Sequence, residues 1–149
     1  MNIYFICTGN TCRSPMAEAI LKNKNLEGIE VRSAGIYAME GSPMSRNANT
    51  VLSQENIMHN HKSSIFNEQD VAWADLILTM TAAHKEMVLR FSEEAQGKTY
   101  TLMEYAMSQN GVDIHDPFGG DVSVYQQTFE QLNEAINNLE KKLTLEEKL

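Results

Sequence analysis

The feature that most constrains this chain is its N-terminal stretch, where the apolar strand-forming run Ile3-Tyr4-Phe5-Ile6 breaks at Cys7 into Thr-Gly-Asn-Thr-Cys-Arg-Ser before a helical pattern starts near Pro15. Strand, tight loop and helix follow one another within a dozen residues. In an open α/β sheet such a loop sits at the carboxyl end of the strand and faces a helix N-terminus, where free backbone N–H groups bind anions. This loop also carries a thiol at its first position, Cys7, a guanidinium at Arg13 and the hydroxyl of Ser14.

Those residue types specify a chemistry. If the loop curls with its amides inward, an oxyanion sits at its centre above the sulfur while Arg13 grips two equatorial oxygens. Thr8, Gly9, Asn10, Thr11, Cys12 and Ser14 then form the cradle, Gly9 and Asn10 being types that tolerate positive φ. Amide dipoles, the helix N-terminus and Arg13 should lower the pKa of Cys7, with Ser14 donating to its thiolate. Pro15 fits the first helical turn.

Other readings are weaker. A nucleotide P-loop needs a second glycine and a lysine that are missing. Cys7 and Cys12 are the only cysteines, so a zinc site built on cysteine pairs lacks its second pair, and neither metal nor cofactor is expected. Two inert core cysteines would leave Arg13 and the helix start unexplained.

Along the chain, Met16, Ala17, Ile20 and Leu21 mark a half-buried helix that fades at Asn23–Asn25, and Ile29–Ala34 reads as a strand ended by Gly35. Ala48, Val51 and Leu52 mark a helix reaching about Asn56. Asn67–Asp70 opens a short helix with Val71, Ala72 and Trp73 turned inward, leading to a buried strand over Asp75–Met80. Thr81 suits the N-cap of a helix Ala82–Phe91 whose inward residues are Met87, Val88 and Phe91. A fourth strand over Thr99–Leu102 and a turn of helix over Met103–Ser108 follow. From Val124, Tyr125, Phe129, Leu132, Ile136, Leu139 and Leu143 form one long stripe, read as a closing helix on a sheet rather than a coiled coil. Residues 144–149 should fray. His59 and His61 in a polar connection and His84 on a helix are read as surface or structural groups outside any ligand cluster.

Alternating strands and helices indicate a parallel sheet with helices on both faces, and 149 residues make one domain. The formal charge of −8 argues against nucleic-acid binding, and no apolar run approaches the roughly 20 residues that span a bilayer. Without a secretory pattern, and with one of two cysteines needed as a free thiolate, a cytoplasmic monomer is expected.

The run Cys7-Thr8-Gly9-Asn10-Thr11-Cys12-Arg13-Ser14-Pro15 resembles the signature of the low-molecular-weight protein tyrosine phosphatases. Ser33-Ala34-Gly35, Gly41-Ser42-Pro43, the strand Ala74–Met80 and a late Asp116-Pro117 also have counterparts, so the likeness spans essentially the whole chain. It implies a Rossmann-like sandwich over residues 1–149 with four parallel strands in the order 2-1-3-4. It further implies a phosphoprotein phosphatase in which Cys7 forms a cysteinyl-phosphate and Arg13 binds phosphate. Asp116 is then the acid that protonates the leaving group and the base that later activates water, a carboxyl screened by Phe118 being suited to hold that proton. Asp113 and Asp121 remain turn or helix-cap residues.

Two departures bear on substrate. The tyrosine-specific enzymes usually carry an apolar residue where this chain has Thr11, and a pair of aromatics after Asp-Pro where it has Phe118-Gly119-Gly120. A polar Thr11 suits the guanidinium of phosphoarginine better than a phenyl ring, and with Phe118 on the rim the pocket resembles that of the bacterial protein-arginine phosphatases of the stress response. Phosphotyrosine is the alternative substrate, and a phosphoprotein-binding module the non-enzymatic one. Arsenate reductases share the scaffold but need further cysteines after Cys12. Cys12 is also placed to resolve an oxidised Cys7 as a disulfide.

Overall fold

A computed structural model describes residues 1–147. Four strands, β1 (Asn2–Cys7), β2 (Glu30–Gly35), β3 (Leu76–Thr79) and β4 (Thr99–Thr101), form one parallel sheet in the order β2-β1-β3-β4. Six helices connect and cover it: α1 (Arg13–Asn23), α2 (Arg46–Gln54), α3 (Glu68–Trp73), α4 (Ala82–Phe91), α5 (Leu102–Met107) and α6 (Val122–Glu147).

The alternation of side chains along β1 divides the core in two. Ile3, Phe5 and Cys7 join the cluster filled by Met16, Ile20, Leu52, Phe129, Leu132 and Ile136, from α1, α2 and α6. Tyr4 and Ile6 face Val71, Ile77 and Val88, under α3 and α4. The chain leaves β1 for β2 on one side and returns to β3 on the other, so the strand order reverses beside the carboxyl end of β1. Ligands bind at such reversals. Cys7 is the last residue of that strand.

Most expected elements form within two residues of their sequence limits, and the whole stripe from Tyr125 to Leu143 is buried. Three expectations fail. α1 is buried from Arg13 through Leu21, because it is sandwiched between the sheet and α6 rather than lying on the surface. Ala72 is exposed and Trp73 half-buried, its ring capped instead by the Arg32 guanidinium at 4.1 Å. On α4 the inward residues are His84 and Val88, while Phe91 is 56% exposed. α6 runs on to Glu147, and the expectation for residues 144–149 falls in part on residues 148–149, which lie outside the described residues.

Gly35 shows how tightly the sheet holds the loop after β1. A Cβ on Gly35 would lie 2.4 Å from the Thr8 carbonyl oxygen and 2.8 Å from the Asn10 nitrogen, both backbone atoms. Gly35→Ala should therefore displace the loop and cost about 1–3 kcal/mol of stability, read from urea midpoints, with a parallel loss of phosphatase activity. An alanine variant of native stability and activity would show that the loop has slack.

Candidate active site

The loop between β1 and α1 is held from outside by its carbonyls. Ile36 N donates to the Cys7 carbonyl at 3.0 Å, Tyr37 N to Thr8 at 2.9 Å and Ser45 N to Thr11 at 2.8 Å. The Asn10 carbonyl accepts from His61 Nε2 and Ser63 Oγ, each at 2.8 Å. With the carbonyls turned out, the amides are left for the inside, and the Asn10 amide lies 3.3 Å from Cys7 Sγ.

Asn10 is the hub. It sits at φ 56° and is fully buried, the left-handed conformation its residue type allows, whereas Gly9 does not need one. Ser64 N donates to its Oδ1 at 2.9 Å, which leaves Nδ2 to donate to Ser14 Oγ and Ser33 Oγ, both at 2.9 Å. Because Ser14 Oγ accepts from Asn10, its single proton is free for Cys7 Sγ, 2.7 Å away. Burial nevertheless pushes the Cys7 thiol up from its ordinary value, while Ser14, the Asn10 amide and the Arg13 guanidinium pull it back. The expectation of a lowered pKa is corrected accordingly: desolvation, a tertiary effect, outweighs the donors around the sulfur.

Arg13 is buried and donates Nη1 to the Ile114 carbonyl at 3.1 Å, with Nη2 3.7 Å from Asp116 Oδ2. That bond ties the first turn of α1 to the loop bearing Asp116. Cys7, Thr8, Gly9, Thr11, Cys12, Arg13, Asp116 and Phe118 line a single cavity of about 320 Å³. A thiol, a guanidinium and a carboxyl thus open onto one space large enough for a phosphoryl group and part of a group attached to it.

A sequence profile described as low molecular weight phosphotyrosine protein phosphatase matches residues 2–149. This chain belongs to that family. It is 46% identical to a protein-arginine-phosphatase of Geobacillus stearothermophilus over 97% of each chain, and 42% identical to a protein-arginine-phosphatase of Bacillus subtilis over 96% of this chain and 97% of that one. The solved YwlE arginine phosphatase from Geobacillus stearothermophilus superimposes with a TM-score of 0.95, covering 97% of this chain and 94% of that one. A cysteine-to-serine mutant of YwlE, solved with a phosphorylated active-site serine, is 40% identical with a TM-score of 0.92, covering 97% of this chain and 96% of that one.

Within this phosphatase fold the sequence-derived residues fall as follows. Cys7, Arg13 and Asp116 converge, and Thr11 stands at the cavity wall with its Oγ1 3.7 Å from Cys12 Sγ. Cys12 is a buried free thiol 3.4 Å from the Tyr125 hydroxyl. Phe118 does not screen Asp116, contrary to expectation: Phe118 is 83% exposed and the Asp116 side chain 57% exposed. Instead the Phe118 amide donates to Asp116 Oδ1 at 3.1 Å, a local turn that fixes the carboxylate. The following glycines serve the same turn, since Gly119 has φ 81° and a Cβ on Gly120 would lie 2.7 Å from Val124 Cβ. Asp113 accepts from Ala82 N and Asp121 from Val124 N, the cap roles expected of them.

The structural reading of His84 stands, whereas that of His59 and His61 needs revision. His84 is buried with Nε2 2.8 Å from Thr8 Oγ1, and burial together with the Arg13 charge holds its pKa at about 4, so it supports the loop as a neutral ring. His59 and His61 are not loose in a polar connection: both lie against Glu18. Ser33, Ser63 and Ser64, which hold Asn10, carry no signal in the sequence beyond the family likeness of Ser33.

Proposed function

We propose that this phosphatase removes phosphate from arginine side chains of phosphorylated proteins. The observation that carries the reaction is the convergence of Cys7, Arg13 and Asp116 on one cavity. Cys7 as thiolate attacks phosphorus, forming the S–P bond as the P–N bond to the guanidine breaks, and Asp116 gives its proton to the departing nitrogen. Arg13 holds two equatorial oxygens through the step. Asp116, now a carboxylate, takes a proton from the water that attacks the cysteinyl-phosphate, and phosphate leaves with the Cys7 thiolate restored. The Ser14 hydroxyl, oriented by Asn10, stabilises the thiolate at both ends of the cycle.

Arginine as the substrate rests on the hydroxyl of Thr11 in the wall and on relatives of that activity at 46% and 42% identity. Phosphotyrosine is the second reading, favoured by a Staphylococcus haemolyticus relative named a low molecular weight protein-tyrosine-phosphatase, 42% identical over 139 residues. Two free cysteines, one of them the nucleophile, suit the cytoplasm. Cys12, five residues along the same loop, is the thiol proposed to resolve oxidised Cys7.

Thr11 separates the two substrates. Thr11→Ile replaces a hydroxyl by an apolar wall, and should lower kcat/KM on phosphoarginine peptides relative to phosphotyrosine peptides by about 10–200-fold, the scale of one such contact. If the ratio of the two activities does not move, Thr11 is not the selector and phosphotyrosine regains its place.

A further inference from the structure

A second group of ligating atoms lies behind the phosphate loop, in a cavity of about 330 Å³ that shares no residue with the first. Glu18 comes from α1, and His59 and His61 from the connection between α2 and α3; their side chains are 9%, 7% and 4% exposed. Glu18 Oε1 lies 3.8 Å from His59 Nε2 and 3.7 Å from His61 Nδ1, and the ligand atoms of all three fall within 4.8 Å of one another. These separations are too long for hydrogen bonds. Two donors held about 2.0–2.2 Å from one ion at tetrahedral angles stand roughly 3.4 Å apart, so a small contraction would close the set on a cation.

The proton positions are decided by the neighbours. The Asn10 carbonyl can only accept, so the His61 Nε2 that touches it carries the hydrogen, which leaves Nδ1 as the ring nitrogen facing Glu18. His59 Nε2 is buried and has no hydrogen-bond partner among the described residues. A histidine that donates its remote N–H to a backbone carbonyl while presenting its other nitrogen is the arrangement found behind metal ligands.

We infer that Glu18 Oε1, His59 Nε2 and His61 Nδ1 form a site for a divalent cation of the zinc class, with the fourth position open to the cavity. Two imidazoles and one carboxylate favour such an ion over magnesium or calcium, which prefer oxygen. Lys22 and Lys62 also line the cavity, and Lys22 Nζ lies 2.6 Å from Glu18 Oε2, so a hard cation bound through charge alone is disfavoured. The ion would act on the loop without touching substrate. Metal on His61 Nδ1 strengthens the Nε2–H donor to Asn10, and Glu18 reaches the same Asn10 through Ser33, whose Oγ donates to Oε1 at 2.5 Å.

Co²⁺ titrated into the Cys7→Ser protein tests the site while removing the competing nucleophile thiol. One equivalent should bind with a visible d–d band and no near-ultraviolet thiolate charge-transfer band. Adding His59→Ala should weaken binding by more than the roughly 10–100-fold that an outer-sphere residue carries. In the Cys7→Ser protein with its histidines intact, Zn²⁺ should shift the imidazole ¹⁵N resonances of His59 Nε2 and His61 Nδ1, a reading that stands even if the alanine variant does not fold. Absence of binding, a thiolate band, affinity indifferent to His59, or shifts confined to other histidines would each overturn the assignment.

Discussion

Cys7→Ser should reduce steady-state hydrolysis of phosphoarginine peptides by a factor on the order of 10⁶, the scale on which loss of a nucleophile is felt in other hydrolases. The hydroxyl keeps the shape of the site and the contact to Ser14, 2.7 Å away in the parent, so folding and oxyanion binding should survive. Reactivity should not. A serine hydroxyl is far harder to ionise than a thiol, and its phosphate ester releases a worse leaving group, so any attack would leave phosphate on the protein without turnover. Mass spectrometry should then find at most one phosphate per chain, and phosphate release should stop at that stoichiometry. A solved relative with a phosphorylated active-site serine shows that such a state is sterically possible in this family. Multiple turnovers by a protein verified free of wild-type enzyme would end the covalent mechanism.

How far this site could be seen in the sequence depends on the distance over which each residue acts. Cys7, Arg13 and Ser14 were legible because strand, loop and helix start are local and the anion chemistry is written in consecutive residues. Asp116 was legible because a loop after the fourth strand must return to the same sheet edge. Thr81 and Asp121 were legible as caps, since short polar side chains at turns bond backbone amides a few residues on. The hub around Asn10 was not. Its partners Ser33, Ser63, Ser64 and His61 lie 23 to 54 positions away and reach it only once β2 and the following connection pack beside the loop. The inward face of α4 was misassigned for a related reason: hydrophobicity pointed to Phe91, but the loop needed a polar partner for Thr8 and took His84. The ionisation of Cys7 was misjudged because motif residues announce the donors, whereas burial, which opposes them, belongs to the whole fold.

The largest remaining effect should come from Asp116→Asn, and its size should depend on the substrate. Asp116 is more than half exposed, held by the Phe118 amide and 3.7 Å from Arg13, so the substitution removes the proposed proton donor without opening the core. Departure of an unprotonated guanidine from phosphorus is very unfavourable, and the loss on phosphoarginine peptides should reach about 10²–10⁴-fold in kcat, the range for general acid catalysis. Para-nitrophenyl phosphate loses a stabilised phenolate that leaves without a proton, so cysteinyl-phosphate formation from it should be much less impaired. With Asp116 as the proposed base for hydrolysis of that intermediate, the nitrophenyl reaction should show a rapid burst of phenolate followed by slow turnover. The burst separates the two roles of one carboxyl. Equal losses on both substrates with no burst would mean that Asp116 orients Arg13 and is not the acid, and the proton would have to come from elsewhere in the cavity.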